Sequence, residues 1–184
     1  DLGKPDSGET QPMSMLALVA GVDPGAMRPF QHGIPNQVVD PRQRLNEEMV
    51  RAGVSPSYAM PTLSHVRDDL FFLMANHQYG ASALAGKTIS DATIGGRQEI
   101  HRLVNALRGL GEPWRRLHLV ATSAHIGVRE GRRIHGRYTV TAEDLVNGAR
   151  HPDAVCRATF EVDVHSTNRA HGSGVEPTKV RTQP

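Results

Sequence analysis

The feature that most constrains this chain is the order of its apolar patterns. Strand-like and helix-like stretches follow one another without the steady strand–helix–strand alternation that builds a parallel sheet. Met13-Ser-Met-Leu-Ala-Leu-Val-Ala20 reads as a buried strand, closed by Gly21 and Asp23-Pro24-Gly25. Leu70-Phe-Phe-Leu-Met74 is a second, followed by Asn76-His77 and a turn at Gly80, and Leu117-His-Leu-Val-Ala-Thr122 is a third. Arg133 to Val140 reads as a fourth, with Ile134, Tyr138 and Val140 on one side. A last strand spans Ala158 to His165: Phe160, Val162 and Val164 point one way, and Glu161, Asp163 and His165 the other.

Helices are interspersed. Asp40-Pro41 supplies an acceptor cap followed by proline at the first helical position; Leu45, Met49 and Ala52 then share a face, and Gly53 can end the turn. Residues 53–64, with Pro56 and Pro61, read as loop. The strongest helix runs from about Arg97 to Leu110, because Ile100, Leu103, Val104, Leu107 and Leu110 recur on one face; Gly109, Gly111 and Pro113 stop it. Thr141-Ala-Glu-Asp144 is a capping-box pattern that opens a short helix reaching Gly148. The expected fold class is α+β, a mixed and largely antiparallel sheet with flanking helices.

Composition excludes several function classes. Twenty-one basic and nineteen acidic residues leave a net charge of +2, too balanced to argue for nucleic acid. The longest apolar run, Met15 to Val22, is too short to span a membrane, and no basic-then-apolar leader opens the chain, so a cytoplasmic location is the default expectation. A single cysteine, Cys156, allows no internal disulfide, and no local motif marks it as a nucleophile. The chain starts at Asp1, and both ends read as cuts. The expectation is an internal segment of a longer polypeptide, with residues 1–165 as one domain and 166–184 as a polar tail.

Several local patterns carry chemistry. Ala85-Gly86-Lys87-Thr88 resembles the end of a phosphate-binding loop, but the first glycine of that motif is out of place: Gly80 lies one position too early and Ala81 stands in its stead. No Gly-x-Gly-x-x-Gly follows a strand; Gly95-Gly96 is the nearest approach. Asp163-x-His165, with Glu161 beside it, would place candidate metal ligands on one strand face, yet a half-exposed strand shows the same alternation by default. Arg129-Glu-Gly-Arg-Arg-Ile-His-Gly-Arg-Tyr138 packs four arginines and a histidine into ten residues. Guanidinium forks suit carboxylates or phosphates. A solvated hairpin of mixed charge, or an arginine network with Glu130 and Asp144, would read the same way.

The arginine-rich stretch belongs to a longer pattern. Ile126-Gly-Val-Arg-Glu-Gly-Arg-Arg-Ile-His-Gly-Arg-Tyr-Thr-Val-Thr-Ala-Glu-Asp144, followed by an acidic turn at Pro152-Asp153-Ala154 and by Val162-Asp163-Val164-His165, resembles a signature of bacterial FAD-dependent oxidoreductases of the xanthan-lyase-like kind. Gly8-Glu-Thr-Gln-Pro-Met-Ser-Met15 with Gly21-Val-Asp23, and Ser90-Asp-Ala-Thr93 with Gly96-Arg-Gln98, are similar to two further stretches of that family. Gly131, Val140 and Val164 are mild departures from its pattern.

The resemblance implies the substrate-side domain of a flavoprotein. Its cofactor is FAD, bound mainly by a Rossmann half upstream and a further segment downstream, both parts of the same polypeptide outside this chain. Its partner is a small-molecule substrate lying against the flavin. On that basis Arg129 is a candidate for cofactor binding, Arg132 and Arg133 are candidates for an anionic substrate group, and His165, oriented by Asp163, is the candidate acid or base. The intact protein would transfer hydride, and the isolated segment would be inactive. The competing expectation is a stand-alone module that binds anions or proteins through a basic hairpin face.

Overall fold

A computed structural model describes Gly3, residues 7–157 and residues 164–168. Four strands form one sheet in the order β2-β3-β1-β4, with every neighbouring pair antiparallel. They are β1 (Leu16–Ala20), β2 (Thr62–Arg67), β3 (Leu70–Met74) and β4 (His118–Thr122). The helices are α1 (Pro24–Met27), α2 (Pro41–Arg51), α3 (Gly86–Gly109) and α4 (Ala142–Asn147), and a 3-10 turn covers Arg28–Phe30. The architecture is the expected α+β.

Alternation along the strands makes one covered face. Ala17 and Val19 of β1 pair with Leu73 and Phe71 of β3, and Leu73 in turn with Leu63 of β2; all five are buried. Against them pack Ile100, Leu103, Val104 and Leu107 of α3, the stripe read from the sequence, and Leu45 and Met49 of α2. Asp40 caps α2 as expected, its carboxylate accepting from the Arg42 N–H at 2.9 Å. Trp114 closes the far end, tilted against Phe30 and donating from Nε1 to Glu48 Oε2 at 2.9 Å.

Three elements differ from the sequence reading. α3 begins at Gly86, more than two turns before Arg97. Gly95 and Gly96, which the sequence reading places before the helix, lie inside it, where the helix presses on the sheet. A Cβ on Gly96 would meet Met15 Cβ at 2.8 Å, and one on Gly95 would meet Gln78 Oε1 at 2.7 Å. Residues 62–64, expected as loop, open β2, which turns into β3 through Asp68 in a left-handed conformation (φ 45°). Arg133 to Val140 forms no strand. Every residue of that stretch is exposed, Ile134 at 92%. Among the described residues no neighbouring strand offers it a ladder, so alternation alone does not hold it extended. Arg133, His135 and Arg137 therefore share no common strand face.

The capping box at Thr141 and Asp144 is present in both directions, and α4 ends at Gly148 in the left-handed conformation. The strand expected from Ala158 to His165 lies outside the described residues, apart from Val164 and His165. Among the described residues no helix is long and apolar enough to cross a membrane.

Candidate functional site

The end of the sheet where β1 begins and β3 finishes gathers most of the buried polar groups. Met13 and Ser14, just before β1, bridge backwards to Gln78 and Gly127. Asn76, fully buried, closes a pair of bonds with Met15: its Oδ1 accepts from the Met15 N–H at 3.0 Å and its Nδ2 donates to the Met15 carbonyl at 2.8 Å. These bonds fix the chain on both sides of His77.

His77 is held from behind by a buried carboxylate. Its backbone N–H donates to Ser57 Oγ at 2.8 Å. The Ser57 hydroxyl and N–H both donate to Glu99 on α3, at 2.8 and 2.7 Å, and Gln78 Nε2 adds a third donor at 3.2 Å. Glu99 is thus a buried anion satisfied by neutral donors. The His77 ring lies 4.4 Å from the Tyr58 ring, 4.9 Å from the His165 ring at nearly a right angle, and 5.7 Å from Tyr79, whose hydroxyl is 3.3 Å from Nδ1. Nε2 is buried without a hydrogen-bond partner. Burial, then the neighbouring charges of His165 and Arg129, push the His77 pKa down to about 3, so the ring is neutral at physiological pH.

Arg129 and His165 reach this end from two later parts of the chain. Arg129 Nε donates to the Pro12 carbonyl at 3.0 Å and its terminal nitrogen to Ser14 Oγ at 3.1 Å. Glu130 accepts from the Gln11 N–H at 2.6 Å and from Gln11 Nε2 at 3.3 Å, while Gln11 Oε1 accepts from the His165 N–H at 2.7 Å. Gln11 therefore ties the arginine-rich segment to the His165 segment. A cleft of about 290 Å3 opens beside the cluster, with Tyr79, Gly80, Thr88 and Asp91 in its walls.

Of the residues singled out from the sequence, Arg129 and His165 converge here. Arg132 and Arg133 do not: both are exposed, and Arg133 donates to the Gly3 carbonyl at 2.9 Å. Asp163 and Glu161 lie outside the described residues. The network imagined between the arginines, Glu130 and Asp144 is not formed among the described contacts. Glu130 serves Gln11, and Asp144 serves Thr141 and Tyr138. The phosphate-loop look-alike is an ordinary helix start. Thr88 Oγ1 donates back to the Ser82 and Ala85 carbonyls, and Lys87 pairs with Asp91. Cys156 is exposed, and the described residues hold no cluster of three metal-ligating side chains. His77, Tyr58 and Glu99 were not singled out. The one signal for His77 was its place directly after an apolar strand, where it passed for a turn marker.

The sequence matches the family described as FAD dependent oxidoreductase over residues 2–182. The chain belongs to that family. No curated protein and no solved structure matches it. Among the described residues no Gly-x-Gly-x-x-Gly leads from a strand into a helix; the link from β1 into α1 carries only Gly21 and Gly25, so the dinucleotide fingerprint is missing there. The cluster at the sheet end gathers a neutral imidazole, a second imidazole and a guanidinium.

Proposed function

We propose that this chain forms the substrate side of an FAD-dependent oxidoreductase that moves a hydride between FAD and a small organic substrate. The observation that carries the reading is the convergence of Arg129, His77 and His165 at one end of the sheet, from three distant parts of the sequence. FAD, when bound, supplies the hydride chemistry. The chain's own residues bind, orient and move protons.

His165 is the proton donor or acceptor, with Asp163 as the group that orients it. Arg129 sits at the root of the segment that leads into β1 and is assigned to the flavin side, where its charge favours electron-rich groups. Arg132 and Arg133, exposed beyond it, are assigned to an anionic group of the substrate. Residues 1–165 act as the substrate-side domain. The grip on the dinucleotide belongs to residues outside the chain, to which the tail 166–184 leads. The isolated 184-residue chain is expected to be inactive.

The test is the visible absorption spectrum of the intact gene product, followed by variants. A yellow protein with flavin bands is the expected result, and a product that stays colourless with added FAD overturns the reading. In the yellow protein, His165→Ala should slow flavin reduction by substrate about a hundredfold or more, as loss of an acid–base group does. Arg129→Ala should lower flavin retention. If it lowers thermal stability and leaves retention unchanged, Arg129 is only a strut for Pro12 and Ser14.

A further inference from the structure

Residues 31–40, which join the 3-10 turn to α2, help to wall a cleft of about 330 Å3 that shares no residue with the His77 cluster. The volume suits a small molecule: such sites run from roughly 300 to 1,000 Å3 and combine apolar walls with a few placed polar groups. Here the apolar walls are Pro29, Ile34, Val38 and Val39, and the charged groups are Arg28 and Arg44. Val38, at the rim, is 99% exposed.

The loop is fastened by its own side chains, so the cleft stands ready before a ligand arrives. Gln37 Nε2 donates to the Arg28 carbonyl at 3.0 Å and to the Gln31 carbonyl at 3.1 Å. Gln31 is buried and donates to the Pro24 carbonyl at 2.9 Å, while the His32 N–H donates to the Leu63 carbonyl of β2 at 2.9 Å. Asn36 turns the loop in the left-handed conformation (φ 61°).

Charge is a second, independent observation. No acidic residue lines the cleft. Among the described residues, neither the Arg28 nor the Arg44 guanidinium has a hydrogen bond or an ion pair. The carboxylates close to them in the chain are engaged elsewhere: Asp23 with the Ala26 N–H, Asp40 with Arg42, Glu47 with Gln43, and Glu48 with Arg51 and Trp114. Arg44 also stands in the first turn of α2, the end of a helix at which a cation is disfavoured.

We propose that this cleft binds a small carboxylate with an apolar tail, its oxygens on Arg28 and Arg44 and its tail against Ile34, Val38 and Val39. Two guanidiniums with no acid in the walls suit an anion and repel a metal cation. The guanidinium fork matches a carboxylate, and the apolar walls favour a ligand with apolar surface to bury over a bare inorganic anion. The site goes beyond the oxidoreductase reading and stands or falls apart from it.

The test is a titration of the full 184-residue chain, methyl-labelled at isoleucine and valine, with sodium octanoate below its micelle concentration. Octanol, acetate and inorganic phosphate are titrated in parallel. The Ile34, Val38 and Val39 methyl resonances should move saturably with octanoate. The other three probes should bind about tenfold or more weakly, because each lacks the tail or the charge. Arg28→Gln and Arg44→Gln should each weaken octanoate about tenfold, the loss expected for one charge-assisted contact. Both side chains are exposed, so the melting temperature should not move. Val38→Asp should weaken octanoate as well.

Methyl resonances that stay fixed throughout the octanoate titration overturn the proposal. So does octanol binding as tightly as octanoate, which would mean an apolar patch only, and so does phosphate binding as tightly, which would mean a plain anion site. An octanoate affinity unchanged in both arginine variants overturns it too.

Discussion

At the scale of single residues, His77 gives the chain a pH signature. Its folded pKa of about 3 lies well below the ordinary histidine value of 6.5, because burial penalises the charged ring and His165 and Arg129 repel a second proton. The unfolded chain takes up that proton below pH 6.5, and the folded chain does so only near pH 3. The stability His77 contributes is therefore complete above pH 6.5 and drains away as the pH falls toward 3, at no more than about 1.4 kcal/mol per pH unit. Urea unfolding at a series of pH values should show this slope, and His77→Phe should flatten it. An unchanged slope in that variant would mean that other groups carry the acid sensitivity. The sequence offered Arg129 and His165 as candidates because each sits in a recognisable motif. His77 sits in none; its importance comes from Ser57, Tyr58 and Glu99, which lie 20, 19 and 22 positions away and meet it only in the fold.

At the scale of elements, α3 forms a close seam at Gly96 with Met15, the residue just before β1. Gly96 faces Met15 so closely that Gly96→Ala would force the helix outward or displace Met15 and Asn76. The expected loss is about 1–3 kcal/mol, the usual cost of overpacking, read as a lower urea midpoint with an unchanged slope. Gly109→Ala, at the end of the same helix with open space around it, should be neutral or stabilising by up to about 1 kcal/mol. Equal effects at the two positions would mean that the seam is softer than its distances indicate. This contact explains why the sequence misplaced the helix start. Intrinsic propensity scores a glycine pair as a break, whereas here the missing side chains let the helix lie on the sheet. β2 escaped notice for a related reason. Only Leu63 within it is buried, and its pairing with β3, not its composition, makes it a strand.

At the scale of the whole molecule, the described residues fall into a packed body and an exposed arm. The body runs from Met13 to about Gly127 and holds the apolar core, and the buried His165 and Ser166 pack onto it. Residues 131–157 contain one short helix and no buried side chain, and Val155 is 98% exposed. Segments without buried apolar contacts open at little cost. Brief trypsin treatment should therefore cut first at Arg132, Arg133, Arg137, Arg150 or Arg157 and leave a body fragment that still melts cooperatively. Early cuts at Arg97 or Arg102 inside α3 would mean that the body is not the stable unit. By itself the sequence determined the fold class, the apolar stripe of α3, the caps of α2 and α4, three of the four strands and the family, because each of these is written in local spacing or in a contiguous motif. The tertiary structure alone decided that Gly95 and Gly96 are packing positions, that the arginine-rich stretch after Arg129 forms no strand, and that His77 stands beside His165 and within the field of Arg129. Those outcomes depend on which surfaces meet across long separations, and neither periodicity nor propensity carries that information.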